Sequence, residues 1–233
     1  LGSEAGKQSV LRPGDKCFAL STARRAAVLV DAIAYFSALE EALGHARRSV
    51  VILAWDFDAH IKLRPQEGDD APTLGVYLRR LVEGRPHLEI RILVWSFAAI
   101  HAPSAAIPLL LGEDWHDHPR IRIVLDTNHP MHAAHHQKVV IIDDSLAFVG
   151  GMDLTVGRWD TPRHAADEPF RDGHNGEYFP PVHDVQMMVD GPVVRAIAQV
   201  VHARWRDATG EQLRLRAPAD LWLDKVAPDF SDV

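Results

Sequence analysis

Ala134-His135-His136-Gln137-Lys138-Val139-Val140-Ile141-Ile142-Asp143 and Leu146-Ala147-Phe148-Val149-Gly150-Gly151-Met152-Asp153 are separated only by Asp144 and Ser145. Two apolar runs joined by so short a polar link predict a β-hairpin, with strands over His135–Asp143 and Leu146–Val149. Alternate strand residues share a face, so His136 and Lys138 project together, while Asp143 falls on the opposite face at the turn. A turn centred between Asp143 and Asp144 sets His136 opposite Gly151 and brings Gly150, Gly151 and Asp153 beside the imidazole. Two glycines there remove side-chain bulk and open backbone N–H groups to an anion. An imidazole next to an ammonium suits a phosphate: one attacks or carries a proton, the other neutralises the non-bridging oxygens. Spacing alone also fits two polar residues on a solvated strand face. Asp143 reads as a structural carboxylate that ties the hairpin.

Outward from the hairpin, apolar runs alternate with amphipathic stretches. Arg25–Asp31 predicts a strand, and Tyr35–Arg48 a helix with Tyr35, Phe36, Leu39, Ala42 and Leu43 on one face. Ser49–Phe57 is a β-branched run of the kind expected of a strand covered on both sides. Thr73 predicts the N-cap of a helix ending near Gly84-Arg85-Pro86. Leu88–Phe97, Ile121–Leu125 and Val185–Val189 predict further strands, and Gly191-Pro192 opens a helix with Val193, Ile197, Val201 and Trp205 on one side. Interleaved strands and helices predict an α/β domain over residues 25–213. Residues 1–24 read as an extension. The Pro-containing stretch 214–233 reads as a linker.

Composition narrows the function. The chain has 233 residues, 47% hydrophobic and 24% charged, in the range of ordinary globular proteins. A net charge of -7 argues against a non-specific nucleic-acid coat, yet leaves room for a local cationic pocket. Cys17 is the single cysteine, so no internal disulfide supports the fold. No run reaches the roughly 18 apolar residues of a membrane span. The most apolar stretch, Ala98–Leu111, is broken by His101, Pro103 and Pro108 and reads as a buried connection. With no cationic start and apolar core at Leu1-Gly2-Ser3, a cytoplasmic or peripheral-membrane address is expected.

His136-x-Lys138-x4-Asp143 followed by Gly150-Gly151-x-Asp153 resembles the HKD signature of the phospholipase D superfamily. The resemblance continues through Asp153–Thr161, His183-Asp184-Val185, Gly191-Pro192 and Arg204-Trp205, and upstream through Trp55–Pro65. It spans residues 25 to 210 and is to the first of two catalytic halves in phospholipases D of bacteria, plants and animals. Gly151 and Asp153 stand where many members carry Ser and Asn, which favours the lipid branch over nucleases. The resemblance implies an α/β/α sandwich, a mixed sheet with helices on both faces.

It also implies a mechanism without metal or cofactor. One histidine attacks phosphorus to form a phosphohistidine, and a second protonates the leaving alcohol, then activates water or another alcohol. Chemistry demands this division, because one imidazole cannot attack and donate a proton at the same moment. By resemblance His136 is the nucleophile, Lys138 the charge clamp, Gly150, Gly151 and Asp153 the phosphate cradle, and Asp184 the acid that orients His136. The implied substrate is a phospholipid at a membrane surface, with hydrolysis or transfer of the phosphatidyl group.

Other histidine patterns carry less. His60-Ile61-Lys62 begins like the signature, but Pro65 breaks the strand it needs and no Gly-Gly return follows. It is expected to line the pocket at most. His129, His132, His135 and His136 lack the spaced partners of a zinc site. His174 and His183 read as surface residues that could flank the pocket, and Trp95, Trp115 and Trp222 as packing residues. A second signature is missing. A second HKD half is therefore expected, from a longer chain or from a homodimer. The alternatives are a homodimeric HKD nuclease, with nucleic acid as substrate, or a half that only binds phosphate or membrane.

Overall fold

The computed structural model describes residues 10–96, 114–130, 133–173 and 178–233. Ala98–Leu111, His132 and His174, read above from sequence, lie outside the described residues. The strands are β1 (Arg25–Val30), β2 (Ser49–Ala54), β3 (Glu89–Trp95), β4 (Ile121–Asp126), β5 (Val139–Ile142), β6 (Leu146–Gly150), β7 (Val185–Asp190) and β8 (Phe230–Ser231). They form one mixed sheet in the order β4-β3-β2-β5-β6-β7-β1-β8. β2, β3 and β4 run parallel, while β5, β6, β7 and β1 alternate in direction. The helices are α1 (Asp31–His45), α2 (Leu74–Gly84) and α3 (Pro192–Thr209).

Strand alternation sorts the core into two layers. Val50, Ile52, Ile90, Ile92, Val140, Ile142 and Phe148 pack against Tyr35, Phe36, Leu39 and Leu43 of α1 and Leu74, Leu78 and Val82 of α2. Val51, Leu53, Leu93, Ile141, Ala147 and Val189 pack against Val194, Ala198, Val201 and Trp205 of α3. This is the α/β/α sandwich expected. Thr73 caps α2, its Oγ1 accepting from the Val76 N–H, and Pro192 opens α3.

Three expectations change. The first strand of the hairpin is shorter than expected: pairing with β2 ends at Leu53–Val139, so His136 and Lys138 lie on the extended approach to β5, not in the ladder. Register also slips by one residue. Asp143 and Asp144 are both left-handed, at φ 51° and 49°, and the Ser145 N–H closes on the Ile142 carbonyl. Val139 thus faces Val149, and the same register carried to His136 reaches Met152 rather than Gly151. Finally, the Pro-containing stretch read as a linker packs onto the domain. Leu223 is fully buried, Arg216 and Ala219 donate backbone N–H bonds to Asp144 and Ser145, and β8 pairs with β1.

Candidate active site

One edge of the sheet collects the functional side chains. β1, β2, β3, β4 and β6 end there and β5 and β7 begin there, so the residues flanking these ends converge. His136 is exposed, and its ring meets the Trp55 ring edge-on at 5.7 Å between centroids. The Lys138 ammonium lies 5.6 Å from the centroid of the same indole. One aromatic side chain from the end of β2 therefore holds both groups of the signature.

Lys138 is not an open cation. It is 5% exposed, and its Nζ sits 2.8 Å from Asp153 Oδ2, a carboxylate that is 1% exposed. Asp153 Oδ1 accepts the Trp55 N–H at 2.9 Å. Burial pushes the Asp153 pKa up, against the pull of Lys138 and of the backbone donors. Asp153, read as part of a phosphate cradle, is instead the buried partner of the lysine. An anion arriving beside His136 would meet a lysine whose charge it shares with Asp153.

The glycines also have a different task. Their backbone N–H groups are spent inside the protein, Gly150 on the Lys138 carbonyl at 3.4 Å and Gly151 on the Val185 carbonyl at 3.2 Å. A Cβ on Gly151 would fall 2.3 Å from Asp184 Oδ1, so the pair lets β7 close on β6 instead of opening donors to an anion. Asp184 accepts from the Val185 N–H at 2.7 Å. Among the described residues it makes no hydrogen bond to His136. Asp143 lies at the far end of the sheet, where its carboxylate accepts the Arg47, Arg48 and Ser49 N–H groups, each at 2.7 Å.

Sequence reasoning missed a second cluster on this edge. Asp31, buried at the β1–α1 junction with φ 61°, holds His183 Nδ1 at 2.8 Å and faces His164 Nε2 at 3.5 Å. His164 Nδ1 lies 3.2 Å from Asp160 Oδ2. Burial raises the Asp160 pKa, but the Val182 and Thr161 N–H groups, His164 and Arg171 outweigh it and hold the carboxyl below the usual range. Asp31, His164 and His183 offer ligand atoms within 4.8 Å of one another, a set of one carboxylate and two imidazoles able to hold a divalent cation. His183, read as a surface residue, belongs to it. The residues are 133 and 152 positions from Asp31, so only the acid at a strand–helix junction hinted at it.

His60 and Lys62 line a separate cleft of about 320 Å³ with Phe36, Trp159 and Asp172. Asp58 holds His60 Nδ1 at 3.1 Å. This cleft opens two residues beyond Asp153, at Thr155.

A family model described as phospholipase D matches residues 117–229. Phospholipase D1 of Saccharomyces cerevisiae is 28% identical over 213 residues, 76% of this chain and 12% of the yeast protein. Phospholipase D2 of Bos taurus is 31% identical over 134 residues, 56% of this chain and 14% of that protein. The chain thus spans about an eighth of these relatives. NucT of Helicobacter pylori superposes with a TM-score of 0.53 at 14% identity, over 78% of this chain and 96% of NucT. Nuc of Salmonella typhimurium, a phospholipase D family member, gives 0.51 at 13% identity, over 81% and 99%. The fold is the one these two solved structures share. These similarities support the phospholipase D superfamily as the family of this chain.

Proposed function

We propose that this chain is a phospholipase D-type catalytic half that cleaves or transfers phosphodiesters of phospholipids through a phosphohistidine at His136. The observation that carries the reading is the shared seat of His136 and Lys138 on Trp55, with the imidazole exposed and the ammonium beneath it. A His136 ring nitrogen attacks phosphorus, and the bond to the leaving oxygen breaks as that oxygen takes a proton from a second histidine. Water or an alcohol then loses its proton to that second imidazole and attacks phosphorus, and the P–N bond breaks. Asp184, within one strand of Gly151, is the acid nearest in the family pattern for orienting the attacking ring.

The second imidazole comes from another HKD half, in a longer chain or in a second copy. An uncovered apolar patch supports this. Val28, Val30, Val185 and Met187 pair across β1 and β7 beside the site edge and are 36–45% exposed. Sequence kinship to proteins named phospholipase D favours lipid over nucleic acid as the substrate. Among the described residues no helix is long and apolar enough to cross a membrane.

The test is a rapid quench with phosphorus-labelled vesicles and, in parallel, labelled plasmid, using an assembly that contains two halves. Label should appear on His136, survive base and leave in acid. Added primary alcohol should divert product to the phosphatidyl-alcohol, and His136→Ala should abolish both products. Product without labelled histidine, cleavage of plasmid alone, or full turnover by a demonstrated monomer overturns the reading.

A further inference from the structure

The short segment that carries His136 has little backbone support. β5 begins at Val139, and the last inter-strand bond below it runs from the Gly150 N–H to the Lys138 carbonyl. Among the described residues, 134–137 make no backbone-to-backbone hydrogen bond. Side chains must therefore hold the segment. On the C-terminal side of His136 the anchor is the Lys138–Asp153 pair. On the N-terminal side it is His135, which no signature of the site includes.

His135 turns away from His136, toward the end of β4. Its Nε2 lies 3.3 Å from the Asn128 carbonyl and 3.7 Å from Asp126 Oδ2. A carbonyl only accepts, so Nε2 carries the hydrogen. Asp126 is 2% exposed and is itself fixed, by an ion pair with Arg204 of α3 and by the Asn128 N–H at 2.9 Å. The ring meets His129 edge-on at 5.4 Å, and His129 in turn bonds Ser96 Oγ at 3.0 Å. With Trp95, Asp126, Gln137 and Arg204 the ring closes a seam that leaves only about 10 Å³ of space.

We propose that His135 is a positioning residue: its Nε2–H bond to Asn128 fixes residues 134–138 so that the His136 imidazole keeps one orientation on Trp55. Its neighbours suit a neutral donor, since burial and then Arg204 hold the His135 pKa below its ordinary value. A side chain on helix α3 thereby reaches the attacking ring through Asp126 and His135. The consequence for turnover rests on His136 being the nucleophile; the readout below does not.

The experiment uses the full chain with ring-labelled histidine and follows the ¹H–¹⁵N ring correlations of His136, identified by their loss in His136→Ala. The wild-type chain should give one sharp set of His136 ring shifts, displaced by the ring current of Trp55. His135→Gln, which keeps an N–H donor without the ring, should preserve that pattern. His135→Leu, which fills similar volume without a donor, should broaden the His136 ring signals and move them out of the Trp55 ring current while the His164 and His183 signals stay in place. If the leucine variant does not fold, His135→Ala is read the same way. In an active assembly the leucine variant should lower kcat by up to about 10²-fold with KM unchanged, the cost of a misplaced reacting group. An unchanged His136 pattern in the donorless variants, or a glutamine variant whose His136 signals broaden and move as theirs do, overturns the proposal.

Discussion

The two ends of the β5–β6 hairpin contain the three residues of one signature, yet they do opposite work. At the lower end Asp143 accepts three backbone N–H groups from the α1–β2 connection and fastens the hairpin to the sheet. At the upper end His136 is exposed on Trp55 and Lys138 lies beneath it with Asp153. Four residues lie between Lys138 and Asp143, so five steps of extended chain, roughly 17 Å at about 3.3 Å each, separate them. A single motif therefore spans an exposed end and a structural one. Substitutions at its two ends should fail in different ways.

The largest contrast should come from Lys138→Ala. Loss of the cation facing the developing charge should slow an active assembly by about 10²–10³-fold. It also leaves Asp153 buried without its partner, at a cost of about 3–5 kcal/mol if the carboxylate stays ionised. Asp153 already has a raised pKa, and the substitution should raise it further. A carboxyl that holds its proton more tightly folded than unfolded stabilises the protein below the ordinary carboxylate range and loses that stability as pH rises through the raised value. Urea denaturation across pH should thus show the variant's deficit shrinking in acid. A pH-independent deficit would break the pairing assigned to the upper end.

Asp184→Asn comes next. If Asp184 orients His136 in the assembled site, chemistry should fall by roughly 10–100-fold with the melting temperature nearly unchanged. Equal rates for the two proteins would leave Asp184 as a structural residue before β7, its carboxylate accepting the Val185 N–H and its backbone bonded to Asp31.

The smallest effect on chemistry belongs to the lower end. Asp143→Asn keeps one acceptor oxygen but loses the charge shared among three donors, and should lower stability by about 1–2 kcal/mol. The rate per folded molecule should not change. A rate loss exceeding the stability loss would mean that the turn communicates with the site, and the division between the two ends would fail.

How legible each end was in the sequence follows from locality. Thr73, Gly191-Pro192 and the β-branched run after Ser49 encode caps and strands through their neighbours, so α2, α3 and β2 could be read directly. Parity placed His136 and Lys138 on one side and Asp143 on the other. Parity could not show where pairing stops, because that depends on β2 and β6 meeting β5 only from Val139. It also missed the one-residue slip, which comes from two consecutive left-handed aspartates in the turn.

By itself, then, the sequence determined the class of sandwich and the hairpin whose turn Asp143 ties to the sheet. Tertiary structure decided how those charges are used. Asp153 became the lysine's partner because folding buries both, and a buried ammonium needs a carboxylate within hydrogen-bond reach. Asp31, His164 and His183 became neighbours because the β7–β1 pairing closes a long loop onto the start of α1. The Pro-containing stretch became part of the domain because Leu223 found an apolar seat and Asp144 and Ser145 needed donors. Each outcome joins residues distant along the chain, so burial and hydrogen-bond satisfaction fixed it where local spacing could not.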